Sequence, residues 1–109
     1  MTWLLRQGDV LAAAEVAETF AQRSRGLLGK TSFEGAMILP RTRSVHTFGM
    51  RFAVDVAVCD KDMVVLGVTT LRPWRMSLPR RRGRWMVEAQ SGAFERWGLR
   101  VGDQLELRG

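Results

Sequence analysis

The sequence predicts a mainly β domain: a small antiparallel β-sandwich or half-closed barrel of six to eight short strands with one or two short helices. Three observations lead there. Apolar and polar or small residues alternate with period two over 54–59 and again over 85–90, the mark of strands whose two faces differ. Short apolar runs are interrupted by turn-forming sequences at Gln7-Gly8-Asp9, Asp60-Lys61-Asp62 and Gly102-Asp103. Helix-start signals occur at only two places, too few to build a helical layer.

Residues 3–6 and 9–16 read as an opening pair of strands about the Gln7-Gly8-Asp9 turn, with the Ala12-Ala13-Ala14 triplet the weakest strand former among them. Thr19-Phe20-Ala21-Gln22 has the form of a capping box, in which a Thr hydroxyl and a Gln side chain satisfy orphan N–H groups. The helix it opens places Phe20, Ser24, Leu27 and Leu28 on one face, with Phe20 and Leu27 as apolar anchors. Arg23, Arg25 and Lys30 fall on its polar side, and Gly29 ends it. Residues 36–39 form a short apolar strand that Pro40 stops. Val54, Val56 and Val58 define the richer face of the next strand, and residues 63–71 return antiparallel to it. Gly67 within the return strand marks a bulge or a close backbone approach. In 85–90, Trp85, Val87 and Ala89 oppose Met86, Glu88 and Gln90, and Glu88 is read as pointing outward. Ser91 is placed to cap a short helical turn carrying Phe94 and Trp97, closed by Gly98, before a last strand over 104–108.

At 109 residues the chain suits one domain, spanning 1–109. No apolar run approaches the roughly 20 residues of a membrane span, and the start, M-T-W-L-L-R, does not read as a secretory signal. A single cysteine forms no internal disulfide, so the cytoplasm is the expected compartment. The net charge of +6 is concentrated. Residues 72–84, R-P-W-R-M-S-L-P-R-R-R-G-R, hold six arginines and no acid. Removing those six from the 17 basic residues leaves 11, equal to the 11 acidic ones, so the rest of the chain is formally neutral. Fifteen of the 17 bases are arginine, the residue suited to bidentate recognition of phosphate or carboxylate. The sequence places this positive charge at one tip of a balanced body.

Several segments, taken in order, resemble a known family: T-F-A-Q-R-S-R-G-L-L at 19–28, then H-T-F-G-M-R-F-A-V-D-V at 46–56, P-W-R at 73–75, residues 88–92, and G-L-R-V-G-D-Q-L at 98–105. Together they resemble the prokaryotic domain-of-unknown-function family 192, from about Val10 onward. The resemblance implies one compact β-rich domain and brings no activity with it. The chain departs from the family pattern at Gly49, where a second aromatic is common, and at Ala53, where a proline is common. Those departures bear on any shared aromatic shelf for a ligand.

No catalytic group, metal or cofactor is assigned from the sequence. A Cys59–His46 pair is disfavoured because Cys59 falls in an apolar strand, whereas reactive thiols need an electropositive, accessible setting. Two Cys/His residues are too few for structural zinc, and a mixed site of His46, Asp55 and Glu88 depends on geometry. Asp55, between Val54 and Val56, either faces solvent or is paired by Arg51, Arg25 or a backbone donor, and is read as a buried clamp; the alternative is a pocket carboxylate beside His46 and Met50. Trp74 among arginines has the composition of a surface that stacks on bases and contacts phosphates. The expected function is therefore a small binding module for an anionic partner: a nucleic acid, an acidic protein or a phosphorylated ligand. Its expected ligand surface comprises His46, Met50, Arg51, Asp55, Arg72, Trp74, Arg75, Arg80, Arg81, Arg82 and Arg84. Two other classes stay open: an enzyme or small-molecule pocket centred on His46 and Asp55, and an assembly protein with an exposed apolar patch.

Overall fold

A computed structural model describes all residues from Met1 to Gly109. Seven strands, β1 (Thr2–Arg6), β2 (Asp9–Val16), β3 (Ala36–Pro40), β4 (Val54–Cys59), β5 (Val65–Leu71), β6 (Trp85–Gln90) and β7 (Leu105–Arg108), form one sheet in the order β5-β4-β6-β3-β2-β1-β7. Every pairing is antiparallel except β2 with β3, whose parallel connection runs through helix α1 (Phe20–Leu27). The two outer strands approach each other: Val65 N–H donates to the Asp103 carbonyl at 2.9 Å, and Leu105 N–H to that of Met63 at 3.0 Å. The sheet is thus a curled half-barrel with two short helices, as the sequence predicts. The bulge expected at Gly67 is present as a register shift between Val58 and Cys59. The predicted start of β5 is two residues early.

Curling gives the two faces of the sheet different roles. The inner face gathers residues from both edges and the middle, including Leu4, Ile38, Ala57, Cys59, Val87 and Leu105, and Phe94 of helix α2 (Ala93–Trp97) packs into it. The outer face carries Met37, Val54, Val56, Val58 and Met86, covered by Leu27 of α1 and by Val45, Met50 and Phe52. Gly26 permits the close contact with α1, because a Cβ there would come within 2.5 Å of the Met37 methyl.

The capping box of α1 is present, with Gln22 N–H donating to Thr19 Oγ1 at 3.1 Å and Thr19 N–H to Gln22 Oε1 at 3.2 Å. The face it buries is only partly the predicted one, since the expected anchor Leu27 is buried and the other, Phe20, is not. Arg23 and Leu27, four residues apart, point inward, while Phe20 is 63% exposed and Leu28 40%. Glu88 faces the covered outer side of the sheet and is fully buried, not outward. The two errors have one cause. Arg23 Nε and Nη2 donate to Glu88 Oε1 and Oε2 at 2.6 and 2.8 Å, a bidentate pair spanning 65 residues. Arg23 Nη2 also donates to the His46 carbonyl at 2.6 Å. Neither periodicity nor hydropathy records a partner that distant.

Breaking this pair should be far costlier than replacing it. Glu88→Ala is expected to lower unfolding stability by about 3–5 kcal/mol, because it leaves the Arg23 guanidinium buried without its counter-charge. Arg23→Met combined with Glu88→Met should be markedly more stable than Glu88→Ala in urea denaturation. Equal losses in the two variants would contradict the account.

Candidate binding face

Residues 72–84 form a strap across the outer face. Leu71 pairs with Val54 and Trp85 with Cys59, at opposite ends of β4, so the connection must run back along a strand roughly 17 Å long. Pro73 and Pro79 keep it out of the sheet, and it pairs instead with residues 42–47. Ser77 N–H donates to the Val45 carbonyl at 2.9 Å, Thr47 N–H to that of Arg75 at 2.8 Å, and Thr42 N–H to that of Arg84 at 3.1 Å. The arginines are therefore strung along a line, not gathered at one tip. Arg72 and Arg75 lie at one end, and Arg81, Arg82 and Arg84 at the other, where they border a hollow with Asp60 and Lys61. All six are exposed. The four ion pairs of the chain use Arg6, Arg23, Arg41 and Arg108, so no strap guanidinium is neutralised by a carboxylate.

Thr47 anchors the Arg72 end. It is fully buried, donates Oγ1–H to the Arg72 carbonyl at 2.6 Å and accepts Arg75 N–H at 2.9 Å, while its carbonyl accepts Trp74 N–H at 2.9 Å. These bonds hold Trp74 at φ +64°, a left-handed conformation rare for a bulky side chain. The indole is 65% exposed and continues a row of rings. Phe48 lies 6.2 Å from Trp74 at 24°, His46 lies 4.6 Å from Phe48 at 19°, and Phe20 lies 5.5 Å from His46 at a 45° tilt. Phe48 N–H points to His46 Nδ1 at 3.3 Å, leaving Nε2 to carry the proton of a neutral ring. The exposure of Phe20 that the helix reading missed places it at the end of this row. Phe20 and Phe48 were absent from the sequence-derived surface; the Phe20–Ala21–Gln22 capping sequence and the H-T-F segment are the only signals that could have brought them in.

The other predicted site residues separate. Arg51 is exposed. Met50 is buried in the outer core, so it offers no side chain at a rim. Asp55 lies on the same face as Ala57 and Cys59, opposite the side that His46 borders. It is a buried clamp, with backbone donors rather than an arginine as partners. Its Oδ2 accepts Gly92 N–H at 2.9 Å and Phe94 N–H at 3.1 Å, and Oδ1 accepts the Thr70 hydroxyl at 2.8 Å. Asp55 thereby caps α2 from a neighbouring strand. Ser91, predicted to do so, does not, and Gly92 stands at the N-cap without a side chain. His46, Asp55 and Glu88 do not gather into a metal-binding cluster. Cys59 is fully buried in the inner core, away from His46. No helix is long and apolar enough to cross a membrane.

Comparison with known proteins agrees with this architecture. A family model described as "Uncharacterized ACR" (DUF192) matches residues 3–107, taking in the first strand, which the ordered motifs did not reach. The chain is 35% identical over 96 residues to a UPF0127 protein of Pyrococcus horikoshii, covering 84% of each chain. It is 37% identical over 103 residues to a UPF0127 protein of Pyrococcus furiosus, covering 90% of this chain and 89% of the relative. The fold is similar to that of a crystallised protein of unknown function from Novosphingobium aromaticivorans, with a TM-score of 0.77, 21% identity, and 96% and 82% of the two chains covered.

Two measurements check the buried polar groups. Asp55→Ala should destabilise the fold by about 2–3 kcal/mol, since it strands the buried Phe94 N–H and removes the cap of α2; hydrogen exchange at Phe94 should rise. Burial, reinforced by the charge of Asp60, pushes the Cys59 thiol from 9.0 up to about 12. The unfolded chain therefore loses that proton first. Stability contributed by the neutral thiol is complete below pH 9 and declines as pH rises from 9 towards 12. A thiol reagent at pH 8 should leave native Cys59 unmodified and label it on denaturation.

Proposed function

The chain belongs to the DUF192 family, which carries no activity with it, and from that premise we propose that it is a binding module for an anionic partner, single-stranded nucleic acid being the class its outer face suits best. One observation carries the reading: the aligned rings of His46, Phe48 and Trp74 stand beside arginines that lack protein counter-charges. A base laid on the exposed indole extends the row, because every base offers a π-face, and the backbone phosphates then follow the strap past Arg72 and Arg75 towards Arg80, Arg81, Arg82 and Arg84. Thr47 acts as a positioning residue by holding Trp74. Arg23 supports the same face through the His46 carbonyl.

A second reading, an acidic protein partner, is favoured by exposed Leu28, Met76 and Leu78 at 40%, 60% and 88%, which are aliphatic and do not stack on bases. Arginine and apolar anchors together are also the composition of protein interfaces. Competition separates the two: polyglutamate should displace an oligonucleotide at a much lower concentration from a site that reads charge without stacking than from one that also stacks bases.

Fluorescence anisotropy with a labelled single-stranded oligonucleotide tests the primary reading. Binding should be measurable at about 50 mM salt and fall steeply by about 200 mM. Trp74→Ala should weaken it by about tenfold, within the range known for one base–aromatic stack. Replacing Arg80, Arg81 and Arg82 by alanine should reduce the slope of log affinity against log salt by about 2, three phosphate contacts at roughly 0.7 each. Absence of binding at low salt, or indifference to Trp74→Ala, would rule this partner out.

A further inference from the structure

Beneath the strap, on the side away from the ring row, lies a cavity of about 300 Å³ between the sheet and residues 76–80. That volume is at the small end of the roughly 300–1,000 Å³ range of ligand clefts. Its floor is Val56, Val58, Leu71 and Met86, and Met76 and Leu78 stand over it. Both of these cover residues are exposed, Leu78 at 88%, an unfavourable placement for two large apolar side chains with nothing against them. The cavity also has one cation and no carboxylate on its walls.

That cation is Arg80, and the sequence makes room for it. Gly67 in β5, which does not have a left-handed backbone conformation, leaves the strand bare beside Arg80. A Cβ there would come within 2.5 Å of Arg80 Nη2 and 3.0 Å of its Cζ. The guanidinium is seated against the bare strand at the cavity wall. Its side chain makes no hydrogen bond or ion pair within the protein, so its donors are free. The polar neighbour Ser77 is already satisfied, accepting Val45 N–H at 2.9 Å and donating to the Val45 carbonyl.

We infer that this cavity binds a small amphiphilic anion, an aliphatic carboxylate of medium chain length, with its tail against Val56, Val58, Leu71 and Met86 and its carboxylate on the Arg80 guanidinium. An open, mainly apolar cleft with one unpaired guanidinium matches an apolar tail with one carboxylate in polarity and in sign. Met76 and Leu78 close over the tail and lose their exposure. The site lies apart from the ring row and shares only Arg80 with the phosphate path along the strap, so it does not depend on oligonucleotide binding.

Titration of the full chain with octanoate, octanol and acetate, followed by amide and methyl NMR shifts, tests the assignment. Octanoate should saturate one site, with shifts concentrated at Val56, Val58, Gly67, Leu71 and Met86. Octanol, which lacks the charge, should bind at least about tenfold more weakly, and acetate, which lacks the tail, should give no saturable shift. Arg80→Gln should weaken octanoate by about tenfold while leaving the melting temperature unchanged, because that exposed side chain holds nothing in the fold. The assignment is overturned by any of four results: no saturable octanoate shift, octanol binding as tightly as octanoate, Arg80→Gln binding unchanged, or shifts centred elsewhere. Octanoate binding with no affinity for oligonucleotides would leave this site standing and remove only the proposed nucleic-acid partner.

Discussion

The bidentate pair between Arg23 and Glu88 is the interaction on which the outer half of the molecule depends. Two charges removed from water on the covered face of a sheet are tolerable only because each oxygen of the carboxylate meets its own N–H, and because Nη2 uses its second N–H on the His46 carbonyl. One side chain thus joins three separate parts of the chain: helix α1, strand β6 and the segment that leads to the ring row. It also sets the roll of α1. With Arg23 and Leu27 inward, Phe20 is carried to the surface beside His46, and an aromatic row becomes possible that an apolar inner face would have buried.

From that arrangement follows the organisation of the positive charge. A connection from the Val54 end of β4 to its Cys59 end must traverse the outer face, and its two prolines keep it from joining the sheet. It is held by pairing with residues 42–47, the segment whose position Arg23 helps to fix. The six arginines are consequently spread over the length of a strand rather than clustered. A line of cations with rings at one end suits an extended partner better than a compact one, since counterion release adds with each phosphate neutralised along the path. The same traverse leaves space beneath it, and the cavity at Gly67 and Arg80 is a product of that bridging.

The inner half of the molecule obeys a simpler rule. Both edges of the sheet contribute apolar residues to one interior, and Phe94 enters it from a helix of only five residues. So short a helix has little stability of its own. Asp55 supplies what is missing from a strand distant in sequence, accepting the N–H of the N-cap Gly92 and that of Phe94 in the first turn. The polar residue that looked anomalous between two valines is a fastening, and Cys59 two positions beyond its neighbour Ala57 is an inert filler of the same core.

Strand positions, the capping box of α1, the bulge at Gly67, the stop at Gly98 and the excess charge of residues 72–84 were legible because each is written in neighbouring residues: period-two alternation, cap spacing, glycine placement and local composition. The rolled face of α1, the burial of Glu88, the partners of Asp55, the helix capped without Ser91, and the membership of Phe20 and Phe48 in one ring row were not. Each depends on a partner between 15 and 65 residues away or on which side of a curled sheet a segment crosses, and no local pattern encodes either. The sequence by itself determined a β-rich domain and how much positive charge its long connection would carry. Tertiary structure decided where that charge lies and what stands beside it, because a buried arginine becomes favourable only once the fold has brought its carboxylate to meet it.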